Sequence, residues 1–362
     1  MAVSTAAGPM PNALTTGRLP KGTIWMVLGG SWLLLGLVFG LVQMAGGTKQ
    51  YNLVGALFLG TVLFDILVFV ISYLVEGVRQ ARDRLATSLV TTAFIIALLP
   101  LVSLIYTVLL NGLGRMIQPS FFSQSMRNVL GAEGGAVHAI VGTLEITAVA
   151  ALISVPIGLL TSIYLVEYGR GTLARVITFM VDVMTGIPSI VAGLFAYAFF
   201  VLVTGNVGYR SGLGGSIALA VLMIPVVVRS SEEMLKLVPN ELREASYALG
   251  VPKWLTVVKI VIPTSIAGIT TGVMLSIARV IGETAPLLII AGLTDSVNYD
   301  LVHDRMMTLP VLVYTQYSNQ GAHQSDFVNR AWAGALTLIL IVMALNLVAR
   351  LIARIFAPKL GR

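Results

Sequence analysis

Apolar residues along this chain fall in long, unalternating blocks separated by short polar stretches. The blocks cover roughly 24–45, 53–75, 86–110, 138–166, 174–204, 213–229, 264–292 and 331–353. A helix needs about 20 apolar residues to cross about 30 Å of hydrocarbon. It is also the one continuous segment, apart from a closed barrel, that satisfies its own backbone hydrogen bonds in lipid. Barrel strands alternate polar and apolar positions over about ten residues, and these blocks do not alternate. The pattern predicts an all-α integral membrane protein with about eight transmembrane helices. The sixth block is short at its outer end and can start within the Gly-rich Gly212–Gly215 stretch. The connection 230–263 is the longest polar stretch on its side and has a helical pattern of its own, while loops of about 111–137 and 293–330 lie opposite. Residues 1–23, rich in Ala, Thr, Pro and Gly, are expected to be a disordered tail. The first block is too long for the apolar core of a signal peptide and reads as a retained span.

Composition agrees: 57% of the 362 residues are hydrophobic and 11% are charged, against about 25% charged in soluble domains. The absence of cysteine excludes disulfides, thiolate metal sites and cysteine nucleophiles. The net charge of +7 is spread over short loops, with no basic run that would speak for nucleic acid. Lys and Arg collect in cytoplasmic loops. With the N-terminus inside, the inner side carries fifteen and the outer side six. Both termini and the 230–263 loop are thus expected in the cytoplasm. Arg229, at the inner edge of the sixth span, and Arg279, inside the seventh, fall outside that tally.

The 230–263 loop contains Glu244-Ala245-Ser246-Tyr247-Ala248-Leu249-Gly250, then nine residues, then Ile260-Val261-Ile262-Pro263. This reads as helix, turn, helix: Glu241–Leu249 suits a short amphipathic helix, Gly250 a left-handed end, and Pro252 the start of the next helix. Pro263 marks entry to the seventh span. The spacing resembles the EAA loop of ABC importer permeases, with Ser246 in place of the second Ala and Ile262 in place of Leu. The resemblance implies that the short helix docks on an ATPase subunit, with Glu244, Ala245, Ser246 and Gly250 in the coupling segment. The chain has no G-x-x-x-x-G-K-[ST] phosphate loop. ATP is therefore expected to bind the partner, and no cofactor or catalytic residue is assigned to this chain.

In the seventh span Arg279 and Glu283 are four apart, a spacing that puts them on one helix face. A charge near mid-bilayer costs on the order of 3 kcal/mol, so such residues face a bundle interior or an aqueous cavity. Arg matches phosphate oxygens in pairs. Pro286 removes the helical donor to the Gly282 carbonyl and predicts a bend, and Gly272 and Gly282 allow close helix approach. Spacing alone leaves two readings open, an anion path and an ion pair that locks two helices. Asp182, within reach of Arg175 at the inner face, and Glu145 are weaker path candidates. Asp65 is expected to make a helix–helix hydrogen bond. Pro156, Pro188 and Pro225 are expected to kink their spans. His138, His303 and His323 show no metal spacing and read as solvated.

The stretch Ala278-Arg279-Val280-Ile281-Gly282-Glu283-Thr284-Ala285-Pro286-Leu287-Leu288 is similar to the PstA permeases of bacterial phosphate ABC importers. So are Tyr164–Gly169, Pro188–Leu194 and Glu233–Pro239. The likeness runs from about residue 86 to the end and implies a six-helix type I importer core over 86–362, preceded by two extra helices in 24–85. It further implies a bacterial plasma-membrane subunit that partners ATPase subunits, a second permease and an extracytoplasmic phosphate-binding protein. The phosphate path would include Arg279, Glu283, Thr284, Asp182 and Glu145. The sister permease, or a permease for another oxyanion, is the nearest alternative. A membrane enzyme or a passive channel would not explain the EAA spacing.

Overall fold

The computed structural model describes residues 19–20, 22–46, 51–129, 131–321 and 323–356, with the backbone alone at 353, 355 and 356. Most of the expected tail, 1–23, lies outside the described residues. Every regular element among those described is helical. Seven helices are individually long and apolar enough to cross a membrane, and a bent pair brings the number to as many as eight. The chain divides into two compact units, Met1–Ile105 and Tyr106–Arg362.

In the first unit, α1 (Thr23–Met44) packs on α2 (Leu53–Val75), followed by the start of α3 (Val78–Met116). Gly60 of α2 lets Trp32 of α1 approach, and a Cβ there would stand 2.8 Å from the indole Cδ1. The same indole donates to Thr61 Oγ1 at 3.1 Å. At the α2–α3 turn the buried Glu76 accepts from Arg84 Nε and Nη2 at 2.5 and 2.7 Å. It also accepts from Ser72 Oγ at 2.8 Å and Leu19 N–H at 2.9 Å. The Arg84 guanidinium holds the Glu76 carboxyl well below the usual range, at about 2. Asp65 departs from expectation: it is buried, and its Oδ1 has no hydrogen-bond partner among the described residues. The Thr61 hydroxyl, one turn earlier on α2, donates to Leu57 O of its own helix at 2.8 Å.

The second unit runs from the end of α3 through α4 (Pro119–Ser123), α5 (Val137–Ile163), α6 (Thr172–Thr185), α7 (Ser189–Thr204) and α8 (Gly212–Lys236). Then come the short α9 (Asn240–Ala248) and α10 (Lys253–Thr256), α11 (Ile262–Val280), α12 (Ala285–Ile290), α13 (Leu309–Ser318) and α14 (Gln324–Phe356). Five-residue π-helical turns end α5 (Tyr164–Tyr168) and open α11 (Val257–Val261). Pro263 follows the second of them. Its missing N–H leaves the wider turn without the usual donor. α8 is the hub. Ser211 Oγ caps its N-terminus by accepting from Gly214 N–H at 3.1 Å, which sets the start in the Gly-rich stretch. Its Gly214, Gly215, Ala218 and Leu219 are buried. The core joins α5, α8, α12 and α13 through Ile146, Met223, Leu287, Met306 and Leu309.

Several expectations change here. The fifth span, 174–204, is two helices bent by 109° at Gly186–Pro188, with Pro188 capping α7 and not kinking one helix. The seventh, 264–292, is broken after Val280, and Pro286 lies in the first turn of α12. The outer 293–330 stretch is no simple loop. Met306–Leu312 is buried, and Leu309 N–H donates to Thr143 Oγ1 of α5 at 2.8 Å. Gly142 makes room for it, because a Cβ there would collide with the Met307 carbonyl. His138, read as solvated, is buried. That side chain is 1% exposed, beside the core residues Ala136 and Ala139, and neither ring nitrogen has a hydrogen-bond partner among the described residues. His303 is exposed, with Nδ1 2.8 Å from Asp300 Oδ2. The Val302 and His303 backbone N–H groups and the His303 ring hold the Asp300 carboxyl below its ordinary range. His323 is exposed.

Candidate functional site

Two regions carry the sequence-predicted functional residues. The first is the hairpin α9–α10. Asn240–Ala248 forms a helix behind Pro239, and Gly250 at φ 76° closes it, its N–H donating to Tyr247 O at 2.9 Å. Pro252 caps α10. Glu244, Ala245 and Gly250 are exposed, together with the apolar Leu242, Tyr247, Leu249 and Trp254. Ser246 sits on the opposite side. It is 3% exposed and bonds Thr256 Oγ1 at 2.8 Å, tying α9 to α10. The Ser in place of Ala is therefore an internal brace of the hairpin.

The second region is the break between α11 and α12. Ile281 N–H still bonds Ile277 O at 3.0 Å, and Glu283 N–H turns back to Val280 O at 3.1 Å. The helix ends there because Pro286 cannot supply a donor to continue it and is suited to a first turn. Arg279 is on the last turn of α11 and exposed, and Glu283 and Thr284 are partly exposed in the bend. The break takes Arg279 and Glu283 off a common helix face, and neither side chain has an ion-pair or hydrogen-bond partner among the described residues. α12 is wedged against α7 and α8. A Cβ on Gly193 would lie 2.5 Å from Pro286 Cα, and one on Gly214 2.5 Å from Ile290 Cγ1. Gly272 allows contact with Ser230, as expected, whereas Gly282 has open space beside it.

Asp182 is not turned to Arg175. It pairs with Arg229 of α8, whose Nη1 also reaches Glu232 Oε2 at 2.9 Å, and Glu232 accepts from Lys236 Nζ at 2.7 Å. This run of alternating charge follows the C-terminal half of α8. Glu145 on α5 is partly exposed, with Oε2 buried and unpartnered. The structure does not bring Glu145, Asp182 and Arg279 into contact. Sequence reasoning passed over Glu167 and Arg243, which form the most buried ion pair of the second unit. Their one signal was an acidic residue at the end of a span, inside the Tyr164–Gly169 stretch.

Residues 154–362 match the family described as binding-protein-dependent transport system inner membrane component. The chain is 48% identical over 276 residues to the phosphate transport system permease protein PstA 1 of Mycobacterium tuberculosis (strain CDC 1551 / Oshkosh), covering 76% of this chain and 89% of that one. It is 39% identical over 282 residues to phosphate transport system permease protein PstA of Pasteurella multocida (strain Pm70), covering 78% and 96%. Its fold is similar to an inward-facing conformation of the MetNI methionine ABC transporter, with a TM-score of 0.51 and 21% identity over 61% of this chain and 96% of that one.

Proposed function

This chain belongs to the binding-protein-dependent transport system inner membrane components, and we propose that it is the permease subunit of an ATP-driven phosphate importer. The observation that carries the substrate is its 48% identity to a PstA phosphate permease across three quarters of its length. The exposed hairpin supports the ATP-driven part. It presents Glu244, Ala245 and four apolar side chains on a rigid turn, a surface suited to the cleft of an ATPase subunit. The chain itself is non-catalytic and binds no nucleotide; ATP chemistry belongs to that partner. A second permease subunit completes the path, and an extracytoplasmic phosphate-binding protein delivers the ion. The basic-residue count supports a bacterial plasma membrane orientation with both termini and the hairpin cytoplasmic.

For the path, the free guanidinium of Arg279 favours the anion reading over a structural lock. An Arg already paired with Glu283 would have to break that pair to meet an oxyanion, and this one is exposed and unpaired. Its planar fork takes two phosphate oxygens. Glu283 and Thr284, beside it in the bend, offer an acceptor for the remaining P–OH and a hydroxyl donor. Asp182 and Glu145 are further path candidates on α6 and α5. Proteoliposomes holding the full complex should accumulate labelled phosphate in an ATP-dependent way, and complexes lacking this chain should not. Equal uptake without it, or preference for another oxyanion over phosphate, would defeat the reading.

A further inference from the structure

α9 buries a single residue, Ser246, of its nine. Apolar packing therefore does little to hold the hairpin to the membrane body, and polar contacts take that part. Arg243 Nε and Nη2 donate to Glu167 Oε1 at 3.0 and 2.9 Å. Nη2 also donates to Leu235 O at 3.0 Å, and Nη1 to Val238 O at 2.5 Å and Asn240 Oδ1 at 3.3 Å. A guanidinium has five N–H donors, and all are committed. Three of the five bonds join α9 to segments that end two different transmembrane helices: Glu167 in the π turn after α5, and Leu235 in the last turn of α8. The other leg of the hairpin grips the same place, for Lys253 Nζ donates to the Glu167 carbonyl and lies 5.0 Å from the centre of the Tyr168 ring. The Glu167 and Arg243 side chains are 4% and 12% exposed. Shielded from water, a charge-assisted forked contact of this kind is stiff and directional.

We propose that Glu167 and Arg243 are positioning residues that latch the hairpin to the ends of α5 and α8, so that a displacement of the hairpin moves those helices as one lever. This rests on the hairpin being the ATPase contact. Without the latch the hairpin still docks and ATP is still hydrolysed, but the motion no longer reaches α5 and α8. A pair serving only to fold the hairpin would instead change assembly and activity together.

The full complex with its ATPase tests this by hydrogen exchange, with and without a non-hydrolysable ATP analogue, in parallel with phosphate uptake per ATP hydrolysed. In the parental complex the analogue should alter exchange in both 240–248 and 164–168. In Arg243→Met and Glu167→Gln the response at 240–248 should remain and that at 164–168 vanish, with uptake per ATP reduced about tenfold or more, the order of coupling between two sites. Because the chain has no cysteine, Glu167→Cys combined with Arg243→Cys and a short thiol cross-linker should restore both readouts. The latch is overturned if 164–168 still responds in the variants, if uptake and hydrolysis fall in proportion, or if Arg243→Met loses the ATPase on purification. Exchange reads the latch whatever oxyanion is carried. A correct latch beside absent phosphate uptake in the parental complex would fault the substrate reading alone.

Discussion

Arg279 was legible in the sequence as a lone cation inside an apolar block, but its partner was not. A spacing of four implies a shared face only while the helix continues, and α11 stops one residue after Arg279. The carboxylate four residues on is carried away by the bend, which leaves the guanidinium exposed. A charge-assisted hydrogen bond contributes about 1.5–3 kcal/mol, so Arg279→Ala should reduce phosphate uptake by about ten- to a hundredfold with the complex intact. Arg279→Lys should recover part of it, since the charge remains but not the fork. Uptake at the parental rate in both would remove Arg279 from the path. Glu76 offers a second test at this scale. Its carboxyl is held at about 2 against an ordinary 4.5, so its contribution to stability is fully present above about pH 4.5 and is lost as pH falls towards 2. Thermal melts in detergent should show the parent losing stability across that window, and Glu76→Gln should be less stable at neutral pH and flatter across it.

Among the elements, the spans and the hairpin were readable because their signals are local: unbroken apolar blocks, a Gly at the end of α9, a Pro at the start of α10. Between α11 and α12 the bend was readable from Pro286 but the full break was not, since the apolar pattern runs on through it and a Pro in the first turn of a new helix looks the same in sequence as one inside a kinked helix. His138 was misplaced for a related reason. Its α5 start packs into a core whose other members, such as Met306 and Leu309, lie far along the chain. The close approach of α7 to Pro286 gives a test by size. Gly193→Ala should destabilise the fold by about 1–3 kcal/mol through overpacking and shift the α12 bend. Gly282→Ala, with open space beside it, should leave melting and uptake near parental. On the hairpin, Ala245→Glu should cut ATPase recovery in pull-downs, whereas a bulky substitution at Ser246 should unfold the hairpin by breaking its bond to Thr256.

For the whole chain, the family match begins at residue 154 and every recognised stretch lies in the second unit or the hairpin. Removal of residues 1–75 leaves α3 entire and should leave ATP-dependent phosphate uptake measurable in complexes of normal composition; its loss there would make the first two helices part of the transport machine. The contact between Glu167 and Arg243 also bears on parity. The end of α5 and the hairpin after α8 touch, so they lie on one face of the bilayer, and a chain that leaves a face and comes back to it has crossed an even number of times. α8 accounts for one passage. With α8 as a single passage, we propose that the bent pair α6–α7 makes the other, as a full crossing in two halves. The proposed orientation, with both termini on the hairpin's face, counts α10–α11 and α14 as two more passages. In this cysteine-free chain, a single cysteine at Asn206 should react with an impermeant maleimide from one side of the membrane, and a single cysteine at Leu249 only from the other.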